Sequence, residues 1–293
     1  MRAESRSFAA RLLIIREHRQ DMRSSMRIAG IQISAGQDVE RNIQRAVEMA
    51  EVAAEKDARV ICYPELFLTP WFPKKENRSL FSLALSPLGE TLGRFQQVSE
   101  KTGTVLIVPF FETVSGKYFN SATVFDRGKM LGIYRKLHLP DLPLYREQFY
   151  FSSGDAGLPV FETSQGRIGI QICWDNLFPE GSRVLALKGA ELVFAPTAAS
   201  LNTHSLWERA ISANAFANNM FIFRVNRVGK EDGISFYGRS FCVDPWGELV
   251  SELAGGKEAI VLADIDLSER AAASETWGFL KNRRPGEYGD LVK

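Results

Sequence analysis

Met26-Arg-Ile-Ala-Gly-Ile-Gln-Ile33 is followed by residues 39–56, with Ile43, Val47, Ala50 and Ala54 at helical spacing, and then by Val60-Ile-Cys-Tyr-Pro64. An apolar strand run, an amphipathic helix and a second strand run make a β-α-β opening. The alternation continues outward from it. Residues 88–102 read as a second helix before a strand over 105–111, and residues 118–125 and 132–137 pair antiparallel around Asp126-Arg-Gly128. Beyond a polar and aromatic loop over 145–154, strands over 159–162 and 167–173 lead into a helix over 179–188. A strand over 191–196, a helix over 205–218 and a strand over 220–225 follow, and residues 236–243, 249–252 and 260–265 supply the remaining sheet. No Pro-, Ser- or Gly-rich linker divides the pattern, so the expectation is one layered α/β domain.

The flanks are read separately. Residues 1–25 are Arg-rich and weakly periodic, which marks an N-terminal extension outside the core with Met26 as a second possible start. Glu4, Glu17 and Asp21 count against an acid-poor transit peptide. Residues 26–268 form the domain, and residues 269–293 a C-terminal arm whose Trp277-Gly-Phe-Leu could pack on a second subunit or on its own domain.

Composition narrows the function classes. With 36 Lys+Arg against 35 Asp+Glu in 293 residues, the chain lacks the basic excess that nucleic acid or an anionic membrane would favour. No apolar stretch approaches the roughly 18–20 residues of a membrane span. Three cysteines without a C-x-x-C pair argue against a disulfide framework or a zinc site, and for a reducing cytoplasm. His18, His138 and His204 lie too far apart for histidine-metal spacing, so no metal is expected. A small-molecule partner is the better prior.

Three apolar runs end in a reactive side chain: Val60-Ile-Cys-Tyr-Pro-Glu65, Ile133-Tyr-Arg-Lys136 and Ile168-Gly-Ile-Gln-Ile-Cys173. Ligands of layered α/β sheets bind beyond the carboxyl ends of the strands, so Glu65, Lys136 and Cys173 could converge. Together a thiol nucleophile, a carboxylate that moves protons and an ammonium facing an oxyanion suit acyl transfer. Taken singly, each has a plainer reading: a lone strand-end cysteine is more often a core thiol, a strand-end lysine a surface group, and Glu65 a turn cap. Cys62 and Cys242 are read as core thiols, and His138 as a residue that shapes its loop.

Tyr63-Pro-Glu65, Tyr134-Arg-Lys136-Leu-His-Leu-Pro140, Cys173-Trp-Asp-Asn-Leu-Phe-Pro-Glu180, Ala195-Pro-Thr197, Asn226-Arg-Val-Gly229 and Phe236-Tyr-Gly-Arg-Ser240 occur in one order. On these pieces the chain resembles the nitrilase (carbon-nitrogen hydrolase) superfamily over about residues 26–288. The resemblance implies a four-layer α-β-β-α sandwich and a cofactor-free Glu-Lys-Cys triad. In it Glu65 is the general base and acid, Lys136 the oxyanion stabiliser and Cys173 the nucleophile. It further implies that Glu147 orients the lysine or the substrate, and that the family habit of pairing sandwiches makes a homodimer or larger homo-oligomer. The backbone N–H of Trp174 would face the oxyanion.

Residues 173–180 most resemble the N-carbamoylputrescine amidase branch. Branches acting on N-carbamoyl amino acids carry an arginine shortly after the nucleophile, where this chain has Asn176 and Leu177, so a carbamoylated amine leads as substrate. Asp175, Asn176, Arg224 and Asn226 are the candidate substrate-binding residues. Arg224 is a departure from the branch, and it could reshape the pocket, introduce a carboxylate partner or pair elsewhere. An aliphatic or ω-amidase, a nitrilase and an N-carbamoyl amino acid (β-ureidopropionase-like) hydrolase remain alternatives with the same triad. A catalytically silent binding protein on the same fold is the alternative from another class.

Overall fold

Strand β1 (Met26–Gln32), helix α1 (Val39–Glu55) and strand β2 (Val60–Cys62) form the opening unit in the computed structural model, which describes residues 25–293 apart from 201 and 232. All but the last residue of the extension expected over 1–25, His18 included, lies outside the described residues. Asp38 starts α1 by accepting the Arg41 N–H on its side chain, which satisfies one of the unpaired donors of the first turn.

Helix α2 (Glu90–Thr102) leads into β3 (Val105–Val114), β4 (Lys117–Asp126) and β5 (Lys129–Arg135). The short ribbon β6 (Asp141–Leu142) and β7 (Tyr145–Arg146) then precedes the single-turn helix α3 (Glu147–Tyr150). The second half runs β8 (Val160–Thr163), β9 (Gly166–Ile170), α4 (Pro179–Leu187), β10 (Leu192–Thr197), α5 (His204–Asn218) and β11 (Phe221–Asn226). It closes with the ribbon β12 (Val228–Glu231) and β13 (Ile234–Tyr237), then β14 (Phe241–Val243), β15 (Ala259–Ile265) and α6 (Glu269–Trp277).

The strands form a six-stranded sheet, β15-β1-β2-β3-β4-β5, and a five-stranded sheet, β14-β11-β10-β9-β8. Each has three parallel strands at its centre and antiparallel strands at its margins. Period-2 alternation sorts the layers. On β1 and β2, Ile28, Val60 and Cys62 face the second sheet, while Ala29, Ile31 and Ile61 face α1 and its small residues Ala46, Ala50 and Ala53. Helices α1 and α2 cover one outer face, and α4 and α5 the other, so the layers run α-β-β-α as the resemblance implied. The sheets approach so closely that a Cβ on Gly30 would meet the Phe223 ring and the Val225 side chain at 2.9 Å, which is why β1 carries glycine at its centre.

Several expected elements change. The run 236–243 is not one strand: it breaks at Gly238 (φ +69°) and Arg239 (φ +54°), where the Asn226 side chain takes the Gly238 carbonyl, and its two ends join different sheets. Residues 249–252 contribute a single bridge, Leu249 to Val243, and no strand. The strand expected to reach Cys173 ends at Ile170. In the last segment Trp277 and Phe279 pack edge-on against Phe216 of α5, at ring-centre distances of 5.4 and 5.1 Å.

Candidate active site

Glu65, Lys136 and Glu147 come from three separate places and meet in the interior. Glu65 lies three residues beyond β2, fixed by Tyr63, which stacks on Phe67 and donates its hydroxyl to the Ala46 carbonyl. Lys136 follows β5 directly, its N–H bonded to the Asn120 carbonyl on β4. Glu147 opens α3. The Lys136 ammonium donates to Glu65 Oε1 at 2.7 Å and to both oxygens of Glu147 at 2.9 and 2.7 Å. All three side chains are out of contact with solvent. The plainer readings of Lys136 as a surface group and Glu65 as a turn cap do not describe these positions.

Two carboxylates therefore share one ammonium. Burial alone would pull the Lys136 ammonium down, but Glu147 and Glu65 outweigh it and hold the group above the ordinary lysine range. For Glu147 burial dominates and pushes the carboxyl up to about 8, against the pull of Lys136. With one cation between two acids, the cluster gains by keeping a proton on a carboxyl. Glu65 Oε1 takes Lys136 and the Asn120 side-chain N–H, each at 2.7 Å, while Glu65 Oε2 is buried without a hydrogen bond.

Cys173 opens a short 3₁₀ turn, Cys173–Leu177, three residues past the end of β9. Its φ of +46° is left-handed, a conformation that costs a non-glycine residue roughly 1–2 kcal/mol and here turns the side chain off the strand. Leu66, next to Glu65, is also left-handed at +50°. Burial pushes the Cys173 thiol well up, Glu65 adds to the effect, and Lys136 opposes it. A thiol so placed is protonated at rest and needs a base before it can attack. Cys62 and Cys242 lie fully buried on core strands.

The space in front of Cys173 is a cavity of about 280 Å³. Trp174, Tyr145, Ala198, Ala199 and Trp207 wall it, and Leu142, Leu177 and Leu206 surround its mouth, each at least 40% exposed. Its wall is almost wholly apolar, the Tyr145 hydroxyl being bound to Ser200 and the Ala198 carbonyl, and no carboxylate lines it among the described residues. Among those residues, no cluster of three or more histidine, cysteine or acidic side chains is arranged for a metal ion, and no helix is long and apolar enough to cross a membrane.

The four candidate substrate-binding residues do not reach this cavity. Asp175 is instead a junction: its carboxylate accepts from the Tyr134 hydroxyl at 2.6 Å, from the backbone N–H groups of His138 and Ile172 at 3.0 Å, and meets the His138 ring at 2.8 Å. The His138 ring stacks on Phe178 at 3.8 Å. Asn176 donates to the Gln171 and Cys173 carbonyls, bracing the Cys173 turn from inside. Asn226 holds the cavity wall by accepting the Ala199 N–H at 2.8 Å. Arg224 is wholly buried behind Trp207. For Asp175, Asn176 and Asn226, hydrogen bonds to backbone groups that a linear motif does not show take the place of a position in the cavity wall, whereas Arg224 is enclosed by aromatic rings.

Other supports were not singled out from the sequence. Asn120 bridges the acids, and the one signal for it is a polar side chain inside the apolar run of β4. The Tyr145 hydroxyl ties the cavity wall to Ser200 at 2.6 Å, with no local signal at all. Arg227 donates to the Glu65, Leu66 and Thr69 carbonyls and pairs with Glu231, so it carries the Glu65 loop on the second sheet.

A layered α/β sandwich with a buried acid-lysine cluster beside a cysteine and an open cavity defines a hydrolase of the nitrilase type. The carbon-nitrogen hydrolase family profile matches residues 27–275, and the chain belongs to that family. It is 37% identical to an N-carbamoylputrescine amidase of Solanum tuberosum over 90% of this chain and 94% of that one. It is 33% identical to a citrullinase of Francisella tularensis subsp. tularensis, over 92% and 99%. A crystal structure of a carbon-nitrogen hydrolase from Helicobacter pylori G27 superposes with a TM-score of 0.87 at 33% identity, covering 92% and 99%.

Proposed function

We propose that this protein hydrolyses the carbamoyl C–N bond of a linear N-carbamoyl amine, N-carbamoylputrescine or a related compound, through a thioester on Cys173. The observation that carries the reading is Glu65 Oε2, a buried carboxylate oxygen with no partner, in a cluster whose charge acts on the Cys173 thiol. In the proposed cycle Glu65 takes the thiol proton and the sulfur attacks the carbamoyl carbon. The resulting oxyanion faces the Lys136 ammonium and the Trp174 backbone N–H, donors that act most strongly in a dry site. Glu65 then gives its proton to the departing nitrogen as the C–N bond breaks. It next takes a proton from water, whose oxygen cleaves the thioester and frees the thiol, and the second half of the substrate leaves. Amine, CO2 and ammonia result. Glu147 and Asn120 hold Lys136 and Glu65 in register.

The substrate reading draws on the named activities of the plant and Francisella relatives and on a cavity of about 280 Å³, room for a small molecule. The same reading places the enzyme in the cytoplasm as a homodimer or larger homo-oligomer, in line with its three free cysteines. Ammonia release from N-carbamoylputrescine, N-carbamoyl-β-alanine and simple ω-amides tests the substrate class. Cys173→Ala tests the mechanism: turnover should vanish while circular dichroism and thermal unfolding show the fold intact. Substantial hydrolysis by that variant would refute the cysteine route.

A further inference from the structure

Among the described residues, Arg224 is a buried cation with no carboxylate at ion-pair distance, and Glu208 acts on it only from farther off. On β11 it is wholly enclosed, and its guanidinium lies 4.8, 5.4 and 5.9 Å from the ring centres of Trp207, Tyr237 and Phe241. Its hydrogen bonds go to the Tyr237 hydroxyl at 2.9 Å and the Arg239 carbonyl at 3.4 Å, and Nε is buried with no partner. No described carboxylate pairs with it, since Glu208 is taken by Arg239 at 3.0 Å. Such a charge is costly to bury unless something balances it.

The same Trp207 side chain reaches the cavity. Trp207 is part of its wall, and the cavity residue Thr203 hydrogen-bonds the same Tyr237 hydroxyl that Arg224 holds. The guanidinium is thus one indole ring from the substrate space, in surroundings of low polarity where a charge is felt at a distance. Cation–π attraction for an ammonium on the cavity face of Trp207 is opposed by the cation behind it. A carboxylate in the same place is favoured.

We infer that Arg224 sets the charge preference at the far end of the substrate, selecting N-carbamoyl compounds that carry a carboxylate there over those ending in a lone ammonium. The inference rests on the carbamoyl group and the Cys173 thioester of the reading above and revises its far end: among carbamoyl compounds it ranks those with a carboxylate ahead of N-carbamoylputrescine. It also answers the missing arginine after the nucleophile: here the positive charge reaches the substrate space from β11 instead of from position 176 or 177. N-carbamoylputrescine and citrulline differ by one carboxylate at that end, so the residue bears on which of the two the cavity suits.

Three ureas of equal chain length test it: 4-ureidobutyrate, butylurea and N-carbamoylputrescine, assayed by kcat/KM with the full-length enzyme, Arg224→Met and Arg224→Lys. The wild type should favour 4-ureidobutyrate over N-carbamoylputrescine by about tenfold or more, Arg224→Met should reduce that ratio by about tenfold, and Arg224→Lys should retain most of it. A ratio measured within one variant does not depend on how much of it folds. A wild-type preference for N-carbamoylputrescine over butylurea, or a ratio unmoved in Arg224→Met, would overturn the assignment. If Arg224→Met yields no folded protein, the wild-type order decides alone. Turnover of none of the three ureas would instead overturn the carbamoyl reading, and this one with it.

Discussion

The proton on Glu147 separates this buried cluster from an ordinary ion pair. Burial raises its carboxyl from an ordinary 4.5 to about 8. A carboxyl whose folded pKa lies above its unfolded one binds its proton more tightly in the native state. The resulting stabilisation is complete below the ordinary glutamate range and is lost as pH rises through about 8. The melting temperature of the wild type, taken relative to Glu147→Gln, should therefore fall between pH 5 and 8.5. A difference that stays flat over that interval would show that Glu147 is fully ionised beside Lys136. Glu147 was legible in the sequence only through family resemblance, since nothing around Tyr145-Arg-Glu147 distinguishes it from a loop acid.

At the scale of elements, the site depends on how two chain segments are joined. Asp175 binds Tyr134, two residues before Lys136, and His138, two residues after it, while holding the Ile172 N–H just before Cys173. One carboxylate thus sets the end of β5 against the nucleophile turn. Asp175→Asn keeps the shape but loses charge-assisted acceptors, and displacements near 1 Å in reacting groups cost about 10²-fold. We expect kcat to fall about 10–100-fold with KM changed little, and Asp175→Glu to recover less than half of the loss. A mainly KM effect would place Asp175 in substrate contact, the role first expected of it. The sequence sets Asp175 two residues after Cys173, but its partners His138 and Tyr134 lie 37 and 41 residues away, in the loop just after β5 and on β5 itself.

For the molecule as a whole, the C-terminal segment is the part whose role the layers decide. Trp277 and Phe279 stack on one another at 5.8 Å and meet Phe216 on α5, and Arg270 donates to the Asn219 carbonyl at 3.0 Å. Trp277→Ala should lower unfolding stability by about 1–3 kcal/mol, as expected for a half-buried aromatic, measured by chemical denaturation. Truncation after Ser268 should cost stability before it alters assembly. A smaller sedimentation coefficient at unchanged melting temperature would put the segment at a subunit interface instead. The alternation of strand and helix from Met26 onward and the positions of Glu65 and Lys136 beyond strand ends were determined by the sequence itself, because side-chain period is a local property of the backbone. Where Gly238 and Arg239 break a continuous apolar run, local pattern misleads, since a left-handed turn and the Asn226 side chain override it. Only the tertiary structure decided that Asn120 bridges two acids, that Asp175 and Asn226 support the site from behind, and that Arg224 is wholly buried behind Trp207. Those outcomes depend on contacts such as Lys136 to Glu65, 71 residues apart, which exist once the two sheets close on each other and exclude water.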